Sequence, residues 1–176
     1  QPMEQKRIRE KADFLGWFTY LCDQWYHVDI LHPGQICDGG LDGYSLLVLP
    51  YDPYYVFDPC PSMEQHIKAW VARGATLVHG AGCPVVRGIL DPGAGYHACD
   101  SIVDKYIMLP LAYGFETFKN GHTVIRYKDG SPAAVGNSLG RGAVLSIGFN
   151  PGLAYINPSQ RVDVEGNGMK ELYRIK

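Results

Sequence analysis

Two kinds of hydrophobic spacing follow one another along the chain. From residue 3 to about 25, apolar side chains recur by threes and fours at Ile8, Ala12, Leu15, Phe18, Cys22 and Trp25. That period predicts an amphipathic helix, with Lys6, Arg7, Arg9, Glu10 and Lys11 marking its wet first half. Tyr26 to Leu31, "YHVDIL", reads as a short strand stopped by His32-Pro33-Gly34. Gly43 to Pro50, "GYSLLVLP", is apolar at nearly every position, the pattern of a strand buried on both faces in a parallel sheet.

A loop from Tyr51 to Pro61, "YDPYYVFDPCP", is long for a strand-to-helix connection. Ser62 and Gln65 then have the spacing of a capping box, and Met63, Ile67, Trp70 and Val71 share one helical face. Gly74 stands where a helix ends, and Ala75 to His79 is the third strand. Residues 3 to 79 therefore read α-β-β-α-β. Strand, helix and strand joined by short links imply a right-handed crossover and parallel pairing. A doubly wound domain would place a strand before the first helix. The expectation is one domain over residues 1–176, cut from a larger polypeptide and lacking that strand.

The second half changes character. Residues 81 to 104 are rich in Gly, Pro and Asp, with weak periodicity. Beyond Tyr106 the strands "HTVIRY", "PAAVGNSL" and "AVLSIGF" alternate with Asn120-Gly121, Asp129-Gly130 and Gly140-Arg141-Gly142. The Asn-Gly and Asp-Gly pairs predict type I′ hairpins. Ala143 to Phe149 is apolar enough to return to the central sheet. The tail predicts a short helix, a loop and a terminal helix.

Composition narrows the function classes. The chain has 176 residues, enough for a sizeable core, and a net charge of 16 − 18 = −2. That balance gives no electrostatic case for nucleic acid or an acidic membrane. No apolar run approaches a membrane span. No cofactor is implied: Gly80 and Gly82 follow a strand, but G-x-G-x-x-G is incomplete and Pro84 stands where a helix should open. None of the five cysteines has C-x-x-C spacing. Cys60, Cys83 and Cys99 sit in loop-like contexts, where one disulfide would suit an exported protein; reduced thiols are the alternative. The sequence leaves cytoplasmic and exported locations open.

Candidate chemistry gathers after the second and third strands. In "GATLVHGAGCPVVRG", residues 74 to 88, an apolar strand breaks into glycines and Cys83, as in hydrolases that present a nucleophile on an elbow. Ala81 is small enough two positions before Cys83, but Val85 is not small enough two positions after it. Pro84 lacks the N–H that an elbow lends to an oxyanion hole. His79, Cys83, His97, Cys99 and Asp100 have metal-ligating side chains, yet match no standard zinc spacing, so no metal is expected. The candidate ligand-binding set is Tyr51, Asp52, Tyr54 and Tyr55 after one strand, with His79, Gly80 and Gly82 after the next. Ligands of open α/β sheets bind at that end of the strands. Tyrosine rings stack on sugar faces while carboxylates hold hydroxyls. The same composition suits a subunit interface, or rings that cover the core.

Four segments, in order across roughly residues 12 to 156, carry a family resemblance: "HVDILHPGQ", "LDGYSLLVLP", "IKAWVARGATLVHG" and "AAVGNSLGRGAVLSIGFNPGLAYI". They resemble the trimerisation domain of glycoside hydrolase family 42 β-galactosidases, which belongs to the class I glutamine amidotransferase-like group. The resemblance implies a flavodoxin-like, mainly parallel sheet with helices on both faces, joined by antiparallel hairpins in the second half. It implies a non-catalytic module that builds a homo-oligomer, or serves an adjacent catalytic domain by shaping its carbohydrate site. The same group contains Cys-dependent amidotransferases, whose His-x-Glu step is missing from this chain. A divergent hydrolase acting through Cys83, or a binder of sugars or other small metabolites, is the alternative.

Overall fold

The computed structural model describes residues 3–50, 62–83, 89–97, 99, 101–104, 107–110, 116–153 and 155. The helices are α1 (Met3–Asp23), α2 (Pro33–Cys37) and α3 (Met63–Ala72). The strands are β1 (Leu46–Leu49), β2 (Thr76–His79), β3 (Gly95–Tyr96), β4 (Ser101–Asp104), β5 (Ile107–Pro110), β6 (Glu116–Thr117), β7 (His122–Tyr127), β8 (Pro132–Leu139) and β9 (Gly142–Ile147). Among the described residues no helix is long and apolar enough to cross a membrane.

At α3 the sequence pattern becomes packing directly. Met63, Ile67, Trp70 and Val71 are all buried, against Leu49, Leu77 and Val144 of the sheet. Trp70 Nε1 donates to the Tyr44 carbonyl at 3.2 Å, so its polar edge is satisfied. The capping box expected at Ser62 does not form: Ser62 is itself helical, at φ −92 and ψ −6, and makes no side-chain cap bond. A box closes at α2 instead. Gly34 N–H donates to His32 Nδ1 at 3.1 Å, and His32 N–H donates to Gln35 Oε1 at 2.7 Å.

The main sheet has seven strands in the order β1-β2-β9-β8-β7-β4-β5, and β3 pairs with β6 in a small second ribbon. β1, β2 and β9 run parallel. Their neighbours β8, β7, β4 and β5 are antiparallel. The sheet is therefore mixed, not mainly parallel. Short turns, not crossover helices, link β7 to β8 and β8 to β9, and a short turn can join only antiparallel neighbours. As expected, β9 returns to the centre, placing Ser146 opposite His79.

The two glycine-turn expectations need correction. At Asp129-Gly130 the loop has three residues: Gly130, at φ 88, donates its N–H to the Tyr127 carbonyl at 2.9 Å, and Tyr127 N–H donates to Ser131 at 2.8 Å. That is the bulged three-residue hairpin, not a type I′ turn. Asn120-Gly121 lies between β6 and β7, which do not pair with each other.

Two expected elements near the start also differ. Tyr26 to Leu31 forms no strand, and Tyr26 and Ile30 are 60% and 65% exposed. β1 lies at the sheet edge, not its interior, and Leu46 is 37% exposed. A strand needs a neighbour to exist, and hydrophobic spacing does not report whether the neighbour is there.

α1 turns a different face inward from the one its spacing predicts. Leu15 is 51% exposed, Cys22 is exposed, and Trp25, just past the helix, is 95% exposed. Among the α1 residues whose burial is described, the buried positions are Asp13 and Gly16, with Trp17 half-buried against Val78, Phe149 and their cluster. A Cβ on Gly16 would collide with the Gly152 carbonyl, so glycine is what lets the helix seat against the turn after β9. Asp13 Oδ1 accepts the Leu153 N–H at 3.0 Å in the same seam. Because Leu77 faces the α3 cluster and Val78 the α1 cluster, the two helices cover opposite faces of the sheet.

Candidate functional site

The carboxyl end of β2 delivers His79, Gly80, Ala81, Gly82 and Cys83 in one turn beside the end of β9. His79 is buried and bonded through both ring nitrogens. Nδ1 lies 3.0 Å from the Gly80 carbonyl, and Nε2 lies 2.7 Å from Ser146 Oγ. A carbonyl can only accept, so Nδ1 carries the proton and Nε2 accepts from the serine hydroxyl. Burial pushes the His79 pKa down to about 4, against the opposing bond to Gly80. At neutral pH the ring is uncharged and holds β2 to β9.

The two glycines are also committed. Gly80 N–H donates to the Leu49 carbonyl at 3.0 Å, and Gly82 N–H donates to Glu116 Oε2 at 3.1 Å. Glu116 thus ties the turn to β6. Its backbone N–H donates to Gly148 at 2.9 Å, and its carbonyl lies 2.8 Å from Tyr127 Oη, which is also 2.8 Å from the Gly148 carbonyl. The structure brings His79, Gly80 and Gly82 together in the turn at the carboxyl end of β2, with these polar groups engaged by protein partners. Tyr51, Asp52, Tyr54 and Tyr55 lie outside the described residues.

Cys83 is 4% exposed and packs in the α3-side cluster with Ile89 and Leu77. Among the described non-glycine residues only Trp25 has a left-handed backbone, so Cys83 lacks the strained conformation of a nucleophile elbow. Cys37 is disulfide-bonded, whereas Cys22, Cys83 and Cys99 are not. A disulfide at Cys83 or Cys99 is therefore ruled out. Loop-like sequence context does not measure the Cα separation and Cβ direction that a bridge requires.

His97 belongs to a different cluster. Its Nε2 lies 3.2 Å from Asp129 Oδ2 and 3.1 Å from Ser131 Oγ, and its ring rests on Tyr127 with centroids 4.7 Å apart. Ser131 Oγ donates to Asp129 Oδ1 at 2.6 Å, and this bond leads the causes that hold the Asp129 carboxyl below its ordinary range. Serine and aspartate share one imidazole nitrogen here. A catalytic triad needs them on opposite nitrogens. Among the described residues no three His, Cys, Asp or Glu side chains are grouped to hold a metal ion; Asp100 lies outside them.

Sequence reasoning missed Ser146, Glu116 and Asp13. Ser146 left a signal, as the polar residue within "AVLSIGF". Glu116 and Asp13 left none, because each acts on a backbone N–H far away in sequence.

No family model and no curated protein matches the chain. Solved structures do share its fold. An exo-β-1,4-mannosidase from Opitutaceae bacterium strain TAV5 matches over 88% of this chain at a TM-score of 0.62 and 12% identity. A cytoplasmic protein from Salmonella typhimurium LT2 matches over 88% of this chain and 82% of its own length, with TM-score 0.57 and 14% identity. A cold-adapted β-galactosidase from Rahnella sp. R3 matches over 86% of this chain, with TM-score 0.53 and 15% identity. The chain spans only 29% of the mannosidase and 26% of the galactosidase. At these identities the likeness is one of architecture: the chain has a mixed α/β fold that also occurs as a segment of glycoside hydrolases.

Proposed function

We propose that this chain is a non-catalytic module of a carbohydrate-active polypeptide, with the flavodoxin-like, amidotransferase-like core of a β-galactosidase trimerisation domain. Its work is assembly into a homo-oligomer and the shaping of a neighbouring sugar site. The observation that carries the reading is the buried turn after β2. Cys83 sits in the core, and His79, the histidine nearest to it in sequence, has both ring nitrogens bonded elsewhere. A thiol nucleophile needs access and a base within reach, and this geometry favours neither. The fold shared with segments of a mannosidase and a β-galactosidase supports the carbohydrate context. In this reading the loop residues Tyr51, Asp52, Tyr54 and Tyr55 form the contact surface, and His79, Gly80 and Gly82 brace its base.

Two measurements test it. Under native conditions at neutral pH, iodoacetamide should label exposed Cys22 first and Cys83 last; selective labelling of Cys83 would restore the hydrolase alternative. Sedimentation should show an oligomer that Tyr54→Ser with Tyr55→Ser dissociates without unfolding. A chain that stays monomeric at all concentrations would sink the assembly role.

A further inference from the structure

Asp129-Gly130 and Asn120-Gly121 share a chemical hazard that the fold treats in opposite ways. In either pair the glycine nitrogen can attack the preceding side-chain carbonyl carbon and close a ring, since glycine has no Cβ to hinder it. The reaction needs an electrophilic carbon and a nitrogen that is not held elsewhere. At Asp129-Gly130 neither condition is met. Ser131 donates to Asp129 Oδ1 from its hydroxyl at 2.6 Å and its N–H at 3.0 Å, and His97 Nε2 stands 3.2 Å from Oδ2. Led by the Ser131 hydroxyl, these contacts keep the carboxyl ionised, and an ionised carboxylate resists attack by an amide nitrogen. The nitrogen is also engaged, because Gly130 N–H donates to the Tyr127 carbonyl at 2.9 Å.

Asn120-Gly121 is the reverse. Asn120 is exposed, in a bend between β6 and β7 and outside both strands. Its neutral amide can leave as ammonia. Among the described residues neither the Asn120 side chain nor the Gly121 N–H is hydrogen-bonded. No bulkier residue can shield the pair. Gly121 has φ 114, and the Asn137 amide occupies the place a Cβ would take. The Asn120 backbone, however, has a structural task. The N–H groups of Lys119 and Asn120 both donate to the Pro92 carbonyl, at 3.2 and 3.0 Å, and Gly93 packs against the Asn120 amide. The link between β6 and β7 thereby pins the turn at 91–93, which leads into β3.

We propose that Asn120 is a site of spontaneous modification in the folded chain, where it converts to aspartate and isoaspartate and so releases the turn at 91–93. The Gly121 nitrogen bonds to Asn120 Cγ. The bond from Cγ to the side-chain nitrogen breaks, and that nitrogen departs as ammonia with the proton Gly121 gives up. One water then opens the cyclic imide. Opening at Cγ yields aspartate. Opening at the Asn120 main-chain carbonyl yields isoaspartate, with the backbone routed through the side chain and one methylene longer. That longer link shifts β7 relative to the two N–H groups that hold Pro92. Water is the only co-reactant, and the proposal is independent of the carbohydrate reading.

The test ages the folded chain and the urea-unfolded chain side by side and maps both by mass spectrometry, with isoaspartate separated from aspartate by chromatography. Peptide mapping also separates Asn120 from the other Asn-Gly pair, Asn167-Gly168. In the folded chain Asn120 should convert within about 10-fold of its unfolded rate, while Asp129 should isomerise only after unfolding. A larger slowing at Asn120 would overturn the proposal, because the bend would then have to open before reacting. Equal isomerisation of Asp129 in the folded and unfolded chains would overturn it too, because the hydrogen bonds would then protect nothing. Asn120→Gln, whose longer side chain closes a less favoured ring, should fold normally and stay intact; conversion at that position would overturn the mechanism. Amide exchange reads the release of the turn. The Lys119 and Asn120 amides should exchange at least about 10-fold faster in the isoaspartate chain than the same two amides in Asn120→Asp, which carries the same charge on an ordinary backbone. Equal exchange in the two would overturn the release.

Discussion

α3 and α1 cover opposite faces of one sheet, and they relate to their sequences in opposite ways. On α3 the residues spaced as a stripe, Met63, Ile67, Trp70 and Val71, are the residues buried. On α1 the stripe containing Leu15 and Cys22 faces water, while Asp13 and Gly16 face the protein. The difference lies in what each helix packs against. α3 meets a layer of Leu and Val side chains, and an apolar stripe is the complement of that layer. The inner contact of α1 is a backbone turn at Gly152 and Leu153, whose complement is a missing side chain and a hydrogen-bond acceptor.

The largest effect should come from the α3 side. Ile67 is fully buried, and Ile67→Ala should cost about 3 to 4 kcal/mol in urea unfolding, through lost transfer energy and a residual cavity. Leu15→Ala, on the outward stripe of α1, should stay within about 0.5 kcal/mol. Comparable losses at the two positions would mean that the α1 stripe is covered, and the contrast would collapse.

Acid should expose a second difference, since the α3 face also hides His79. The folded state holds this ring neutral with a pKa of about 4, below its ordinary 6.5. The unfolded chain therefore binds the extra proton first as pH falls. The stability at stake is fully present above the ordinary value and is lost progressively as pH drops toward the folded one. The loss between pH 7 and pH 4 should approach roughly 3 kcal/mol. His79→Gln keeps a neutral polar group there, and its unfolding free energy should fall less steeply over the same range. Parallel pH profiles for the two proteins would remove His79 as the cause.

These contrasts also mark how far the sequence could be read. α3, β2, β7, β8 and β9 were legible because each is defined by its own side chains: a helical stripe, an apolar run, turn residues between strands. The return of β9 to the centre was legible for the same reason, as apolar residues at nearly every position. The seam between α1 and the chain after β9 was not, because Asp13 and Gly16 act on backbone about 140 residues away. Tyr26–Leu31 has strand-like residues without a paired neighbour, and pairing is a property of two segments. At the candidate site the sequence located His79, Gly80 and Gly82 at the carboxyl end of β2. It could not show that Ser146 and Glu116 would take up their hydrogen bonds, since those partners arrive from β9 and β6.

Gly16 allows a test in which the sign itself is informative. In an exposed helix interior, replacing glycine with alanine stabilises by up to about 1 kcal/mol. Here the new methyl group would strike the Gly152 carbonyl, and Gly16→Ala should instead destabilise by about 1 to 3 kcal/mol. Thermal unfolding would read the difference. A stabilised variant would show that α1 does not seat on the turn after β9.

The smallest effects concern the helix starts, and they reverse what residue types alone suggest. Ser62 has the favoured residue type for an N-cap but makes no side-chain cap bond, so Ser62→Ala should lose none of the energy that a cap contributes and cost less than His32→Ala. His32 is an uncommon cap, yet it accepts the Gly34 N–H while Gln35 closes the reciprocal bond. His32→Ala should therefore cost about 1 kcal/mol, the ordinary worth of a cap. Gln35→Ala should reproduce part of that loss, and the double variant should lose less than the sum, because both bonds belong to one box. Additive losses would show two independent contacts, and a larger loss at Ser62 than at His32 would return the capping box to α3.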